Sequence, residues 1–298
     1  MHYRTLGRSR LKVSEVGFGC MSLNGTETQN IALLRKAFDS GINFFDTADL
    51  YQHGNNEVTV GKALKDIRKK VIISTKVGNQ WKKDSSGWDW NPSKAYILES
   101  VERSLKRLDT DYIDLYLLHG GTIEDPIDDT IEAFEILKKS GKILYYGISS
   151  IRPNVIRTYV QKSNIVCVMM QYGLLDRRPE ESCLALLREN GIGVLARGVL
   201  AKGMLVNKAA EEFLEYKKED VSKASNAIAS VSKPGRNKTQ TAIRFVLNEP
   251  AISSAVIGIR TDTQLNEVLG TCSAEPLNGT EMQFLRDAVP PIFYLQHR

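Results

Sequence analysis

At 298 residues, with 42% hydrophobic and 25% charged residues, the chain has the balance of a folded globular protein and not of a disordered one. The net charge of +5 comes from basic residues spread along the sequence, which argues against a nucleic-acid-binding face but suits a positive site for a phosphorylated small molecule. No stretch approaches the roughly 20 apolar residues of a membrane span, and the amino terminus MHYRTLGRSRLKVSEVG lacks the apolar core of a secretory signal.

In chain order, VGFGCM (16–21) reads as a short apolar strand. TQNIALLRKAFDSG (28–41) follows as a helix with Ile31, Leu34 and Phe38 on one face and Gly41 as its stop. INFFDTA (42–48) and VIISTKVG (71–78) read as strands. Residues 91–108 form the clearest helix, with Asn91 as cap, Pro92 at the first position, and Ile97, Val101 and Leu105 recurring every four. Strands at 112–120, 143–150, 164–173, 192–198 and 253–260 then alternate with helices at 128–142, 152–163, 179–191, 238–250 and 261–270. Residues 203–237 are polar and lysine-rich, a long loop with a helix inside it.

The strands are continuously apolar, as strands buried on both faces of a parallel sheet are. Eight of them with interleaved helices imply an α/β fold, a closed (β/α)8 TIM barrel, in one domain over 1–298. An open doubly wound sheet is the alternative. Its phosphate fingerprint is broken, because Gly17 and Gly19 are followed by Ser22 where a third glycine belongs, and Gly54 and Gly61–Lys62 have the wrong spacing for a P-loop. Cys20, Cys167, Cys183 and Cys272 make no CxxC pair; Cys20 and Cys167 lie in apolar runs as small buried hydrophobes, so a reducing, cytoplasmic setting is expected.

Active sites of such barrels lie at the C-terminal ends of the strands. The runs end on Asp46, Lys76, His119, Ser149–Ser150, Gln171, Arg197 and Gly258-Ile259-Arg260. Each alone has a structural reading; seven polar or unusual ends on one face point to a site. A phenol such as that of Tyr51 ordinarily titrates around pH 10, and a lysine ammonium beside it would lower that value. Asp46 can hold Lys76 charged, and a neutral His119 can position a substrate oxygen. Such a set suits proton delivery to an oxygen while carbon takes a hydride, which is carbonyl reduction.

GINFFDTADLYQHGNNEVTVG (41–61), ISTKVG, IDLYLLHG and GIRTDTQLNEV together resemble the aldo-keto reductase family over nearly the whole chain. The resemblance implies a catalytic tetrad of Asp46, Tyr51, Lys76 and His119, and an N-terminal β-hairpin before the barrel. It implies NADPH held across the barrel mouth, a small carbonyl substrate, and cofactor contacts from Cys20, Met21, Asp46, Ser149 and Gln171. Further contacts are implied from Arg197, Gly198, Val199, Leu200, Lys202 and Gly203 over the pyrophosphate, and from Gly258, Arg260, Gln264 and Glu267 at the adenosine phosphate. Departures from the family pattern are Arg197 in place of a stacking aromatic, Met169 where a glutamine is usual, Ser150 for Asn and Val268 for Asn. Two other readings stand beside this one: a Schiff-base aldolase using Lys76, and a cofactor-binding regulatory subunit with little turnover. The segment 78–93 holds all three tryptophans, Trp81, Trp88 and Trp90, and is expected either to wall the substrate pocket or to pack its own loop.

Overall fold

A computed structural model describes residues 1–298. A two-stranded antiparallel hairpin, β1 (Tyr3–Thr5) and β2 (Lys12–Ser14), comes first. Its turn contains Gly7 at φ +51, where a Cβ would stand 2.2 Å from the Val166 carbonyl oxygen. The chain continues through β3 (Val16–Gly19), α1 (Glu27–Asp39), β4 (Phe44–Asp46), α2 (Asn55–Leu64) and β5 (Ile72–Val77). A second hairpin, β6 (Asn79–Trp81) with β7 (Trp88–Trp90), precedes α3 (Lys94–Leu108). Then come β8 (Ile113–Leu118), α4 (Ile127–Lys139), β9 (Ile143–Ser149), α5 (Pro153–Lys162), β10 (Cys167–Gln171), α6 (Cys183–Glu189) and β11 (Gly193–Arg197). The final elements are α7 (Lys218–Val231), α8 (Lys238–Leu247), β12 (Ile252–Gly258), α9 (Asp262–Leu269) and α10 (Gly279–Asp287). No helix is long and apolar enough to cross a membrane.

Eight strands close into one parallel barrel in the order β10-β11-β12-β3-β4-β5-β8-β9, and the doubly wound alternative falls. Side-chain parity along the strands separates two cores. Phe45, Ile73, Tyr116, Ile148, Val168, Val194 and Ile257 point outward into a 72-residue cluster with the helices. Phe44, Ile72, Leu115, Leu117, Cys167, Met169, Leu195 and Val256 point inward. Leu6, Leu11 and Val13 of the first hairpin join that inner cluster and close the N-terminal end of the barrel. Truncating one of the large inner side chains, such as Phe44→Ala, costs about 3–5 kcal/mol, because a closed barrel cannot collapse around the void.

Helix termini differ from the sequence reading where side chains compete for backbone groups. The third helix begins at Lys94 with Ser93 as its cap and not at Asn91. Asn91 is engaged elsewhere: its Oδ1 accepts from the Ser93 N–H at 3.2 Å and its backbone N–H donates to the Gly78 carbonyl at 2.7 Å. The first helix is capped by Thr26, whose hydroxyl and the Gln29 side chain form a reciprocal capping box. Residues 179–191 hold a 3-10 turn and then the shorter helix α6. Helices α2 and α10 have no counterpart in the sequence reading, since NNEVTVGKAL carries an internal glycine and β-branched residues that weaken its helical signal.

Candidate active site

Inward parity delivers the reactive groups. Two residues beyond an inward apolar side chain, the next inward position lies at the barrel mouth. Phe44 leads to Asp46, Ile72 to Ser74 and Lys76, Leu117 to His119, Met169 to Gln171, Leu195 to Arg197 and Val256 to Gly258. These ends face a cavity of about 1220 Å³. Its wall includes Asp46, Tyr51, Lys76 and His119, and every residue expected at the cofactor except one: Met21, Ser149, Gln171, Arg197, Gly198, Val199, Leu200, Lys202, Gly203, Gly258, Arg260, Gln264 and Glu267.

Cys20 is the exception. Its side chain is fully buried with Sγ 3.8 Å from the Phe18 carbonyl, and its own carbonyl accepts from Asn56. The three tryptophans are also absent from the cavity wall. Trp81 stacks on His53, Trp90 donates from Nε1 to Asp125, and Trp88 is half exposed on the hairpin. The indoles of Trp81 and Trp90 turn to partners on other loops, so the packing alternative describes the placement of those two.

Lys76 is the hub. Its Nζ donates to Asp46 Oδ2 at 2.7 Å, to the Thr47 carbonyl at 2.7 Å and to the Tyr51 hydroxyl at 3.4 Å, engaging all three ammonium hydrogens. Burial opposes its charge, but Asp46 and Tyr51 more than offset that, and its pKa lies above the ordinary lysine value. Tyr51 meets His119 edge-on, with ring centroids 5.9 Å apart. The phenol's pKa is raised by burial, which outweighs the opposing pull of Lys76. The sequence expectation of a net lowering is thereby corrected: Lys76 acts in the foreseen direction, and desolvation is larger. The phenol therefore keeps its proton through neutral pH. Burial, then Lys76 and Arg197, push His119 down to about 3, so its imidazole is neutral.

Three cavity-wall residues have a buried polar atom with no partner: Asp46 at Oδ1, His119 at Nδ1 and Tyr294 at its hydroxyl. Seven basic side chains line the cavity (Lys76, Arg152, Arg178, Arg197, Lys202, Lys208 and Arg260) against three acidic ones (Asp46, Glu215 and Glu267), a balance that suits a polyanionic ligand. Gly198 at φ +72 and Gly203 at φ +95 let the loop after β11 turn over the mouth. Thr261 caps α9 with its hydroxyl on the Gln264 N–H, and the Gln264 side chain accepts from the Arg260 N–H at 2.9 Å. These residues fit an extended dinucleotide.

Sequence reasoning passed over several wall residues. Arg178 forms a two-point ion pair with Asp176, and Asp176 also accepts from Gln171 Nε2, whose Oε1 takes an N–H from Arg197. Phe293, Tyr294, Leu295 and His297 reach the wall from the carboxyl-terminal strand of chain. That tail is held through the His297 carbonyl on the Asn154 N–H, and IFYLQHR carries no periodicity that would reveal it.

Behind the tetrad, Asp49 is buried with Oδ1 unpartnered. Burial first, then the charge of Glu57, raise its pKa to about 8, with Arg107 opposing. A raised carboxyl supports the fold fully below the ordinary aspartate value and progressively less as pH climbs toward 8. Asp49→Asn is expected to melt higher than the parent by at least about 2 °C at pH 8, with the gap closing near pH 4. A constant gap across that range in thermal melts would show that the carboxyl does not titrate with folding.

A closed parallel barrel that gathers Asp46, Tyr51, Lys76 and His119 at one cavity defines the class: a (β/α)8 barrel with its candidate site at the C-terminal ends of the strands. The chain belongs to the Aldo/keto reductase family, an oxidoreductase family whose model matches residues 15–289. It is 48% identical to the uncharacterized oxidoreductase YqkF of Bacillus subtilis (strain 168), over 100% of both chains. It is 33% identical to the NADH-specific methylglyoxal reductase of Escherichia coli (strain K12), over 70% of each. Among solved structures, the holo form of aldo-keto reductase AKR11C1 from Bacillus halodurans superposes with a TM-score of 0.94 at 46% identity, covering 100% of this chain and 99% of that one. The apo form gives 0.85 at 43% identity with the same coverage.

Proposed function

We propose that the protein reduces small aldehydes or ketones to alcohols with NADPH, Tyr51 serving as general acid. The observation that carries this reading is the Tyr51 hydroxyl 3.4 Å from the Lys76 ammonium and edge-on to His119 on the cavity wall. A bound reduced nicotinamide supplies hydride to the carbonyl carbon. Asp46 Oδ1 and the loop 197–203 are suited to hold the nicotinamide half, and Arg260 with Gln264 the adenosine half. His119 orients the carbonyl oxygen, Tyr51 gives it a proton, and Lys76 stabilises the phenolate left behind. A steady-state NADPH oxidation assay over aldehydes, ketones and methylglyoxal-like dicarbonyls tests it, and no turnover with any of them would favour a regulatory cofactor-binding protein.

The aldolase alternative has less support. A Schiff-base lysine needs a lowered pKa and a free amine, whereas Lys76 is an ammonium with every hydrogen engaged. Borohydride trapping of a substrate adduct on Lys76 would restore it.

The choice between NADPH and NADH rests on Arg260. Its guanidinium is exposed at the cavity wall and forms no ion pair with an acidic side chain, and its planar fork suits a phosphate monoester. Arg260→Ala is expected to weaken NADPH binding about tenfold or more and to leave NADH nearly unchanged. Equal losses for both in a fluorescence titration would defeat the assignment. The E. coli relative, named NADH-specific, makes that comparison necessary.

A further inference from the structure

The β6–β7 hairpin, which the proposed mechanism does not use, touches the supports of both groups that meet the carbonyl. On the His119 side, Asn79 Nδ2 donates to the His119 carbonyl oxygen at 3.3 Å. The Trp90 ring fills the space beside two glycines, 2.6 Å from where a Cβ of Gly78 would stand and 3.3 Å from one on Gly120. Its Nε1 is fixed on Asp125 at 2.9 Å. On the Tyr51 side, Trp81 stacks on His53 with ring centroids 3.7 Å apart and planes inclined by 22°.

His53 lies in a strained turn. Immediately after Tyr51 the backbone is left-handed at three successive residues: Gln52 at φ 51, His53 at φ 53 and Gly54 at φ 86. Glycine accepts this freely, but each of the other two costs about 1–2 kcal/mol, and such geometry persists only where its surroundings over-determine it. Three contacts do so. Gln52 Nε2 donates to the Leu23 carbonyl at 2.9 Å, Trp81 covers His53, and the Arg107 side chain lies 2.8 Å from the position of a Gly54 Cβ. Lys76 alone does not fix the phenol, because 3.4 Å is long for a charge-assisted hydrogen bond.

We propose that the hairpin 79–90 is a brace that sets Tyr51 relative to His119, and that His53, through its stack on Trp81, is the positioning residue that transmits it. The proposal rests on the reading of Tyr51 as general acid. A general acid must lie within hydrogen-bonding reach of its target, and a misplacement of about 1 Å costs roughly 10²-fold in rate. The brace therefore acts on the chemical step and not on cofactor affinity.

The test is single-turnover reduction of methylglyoxal by the NADPH-saturated enzyme, with NADPH affinity and thermal melts measured on each variant. His53→Asn accepts the left-handed backbone and removes the stack, whereas His53→Phe keeps a stacking ring. His53→Asn and Trp81→Leu are expected to slow the single turnover about tenfold, with NADPH affinity within about twofold of the parent. His53→Phe is expected to restore most of the rate, and the double variant His53→Asn, Trp81→Leu to be no slower than the slower single one, because both remove one contact. A full rate in His53→Asn overturns the brace, as does an equal loss in His53→Asn and His53→Phe. If Trp81→Leu fails to fold, the two His53 variants decide alone. Tyr51→Phe in the same assay separates the two readings: a full rate there defeats the acid assignment, whereas a crippled Tyr51→Phe beside a full-rate His53→Asn defeats only the brace.

Discussion

Tyr51→Phe is expected to lower kcat for carbonyl reduction by about 10²–10⁴-fold, the range that general acid catalysis supplies. The ring keeps its edge-on contact with His119 and its place 5.0 Å from Lys76 Nζ, so the cavity shape survives. What disappears is one proton, held on the phenol by burial through neutral pH. NADPH affinity is expected to stay nearly intact, since the residues suited to the cofactor are untouched. His119 is a poor substitute, because its pKa near 3 leaves no imidazolium to donate at working pH. Parent kcat should accordingly be level across neutral pH, with no inflection from His119, and should fall on the alkaline side as the phenol ionises. A Tyr51→Phe enzyme that keeps most of its turnover would sink the assignment.

Lys76→Met should damage both turnover and stability. The ammonium is 1% exposed and Asp46 about 6%, so removing one leaves a buried carboxylate without its partner, a loss of roughly 3–5 kcal/mol. Burial by itself pushes the Asp46 carboxyl upward, with Lys76 pulling it down, so without Lys76 it rises further. A raised carboxyl supports the fold fully below the ordinary aspartate value and less as pH rises, so the stability deficit should be largest at neutral and alkaline pH and shrink toward pH 4. Adding Asp46→Asn should recover much of the melting temperature and none of the activity. Turnover should fall about 10²-fold, since each pKa unit of phenolate stabilisation lost corresponds to roughly tenfold. A Lys76→Met enzyme with near-parent kcat would show that Lys76 is structural only.

The barrel, and the strand-end residues among the four proposed to be catalytic, were legible in the sequence because both signals are local. A continuously apolar run marks a strand buried on both faces, and a period of two fixes which residues share a face. That is enough to carry Phe44 to Asp46 and Leu117 to His119 without knowing where the other strands lie. What lay beyond reach depends on partners distant in the chain. The indoles of Trp81 and Trp90 looked like a pocket wall and instead turn to His53 and Asp125, 28 and 35 residues away, because the glycines at 78 and 120 leave room for one ring only after the loops meet. Asn91 resembled a helix cap, but the helix is capped two residues later, where the Ser93 hydroxyl accepts from the Tyr96 N–H. The direction of the Tyr51 pKa was misjudged for the same reason: a neighbouring lysine can be read from spacing, but desolvation is set by everything that closes over the phenol. Sequence by itself determined which strand-end side chains stand at the mouth, through pleat parity. Tertiary structure alone decided their separations, their burial and therefore their protonation, because barrel closure fixes the distance between strand ends and expels the water that would otherwise screen them.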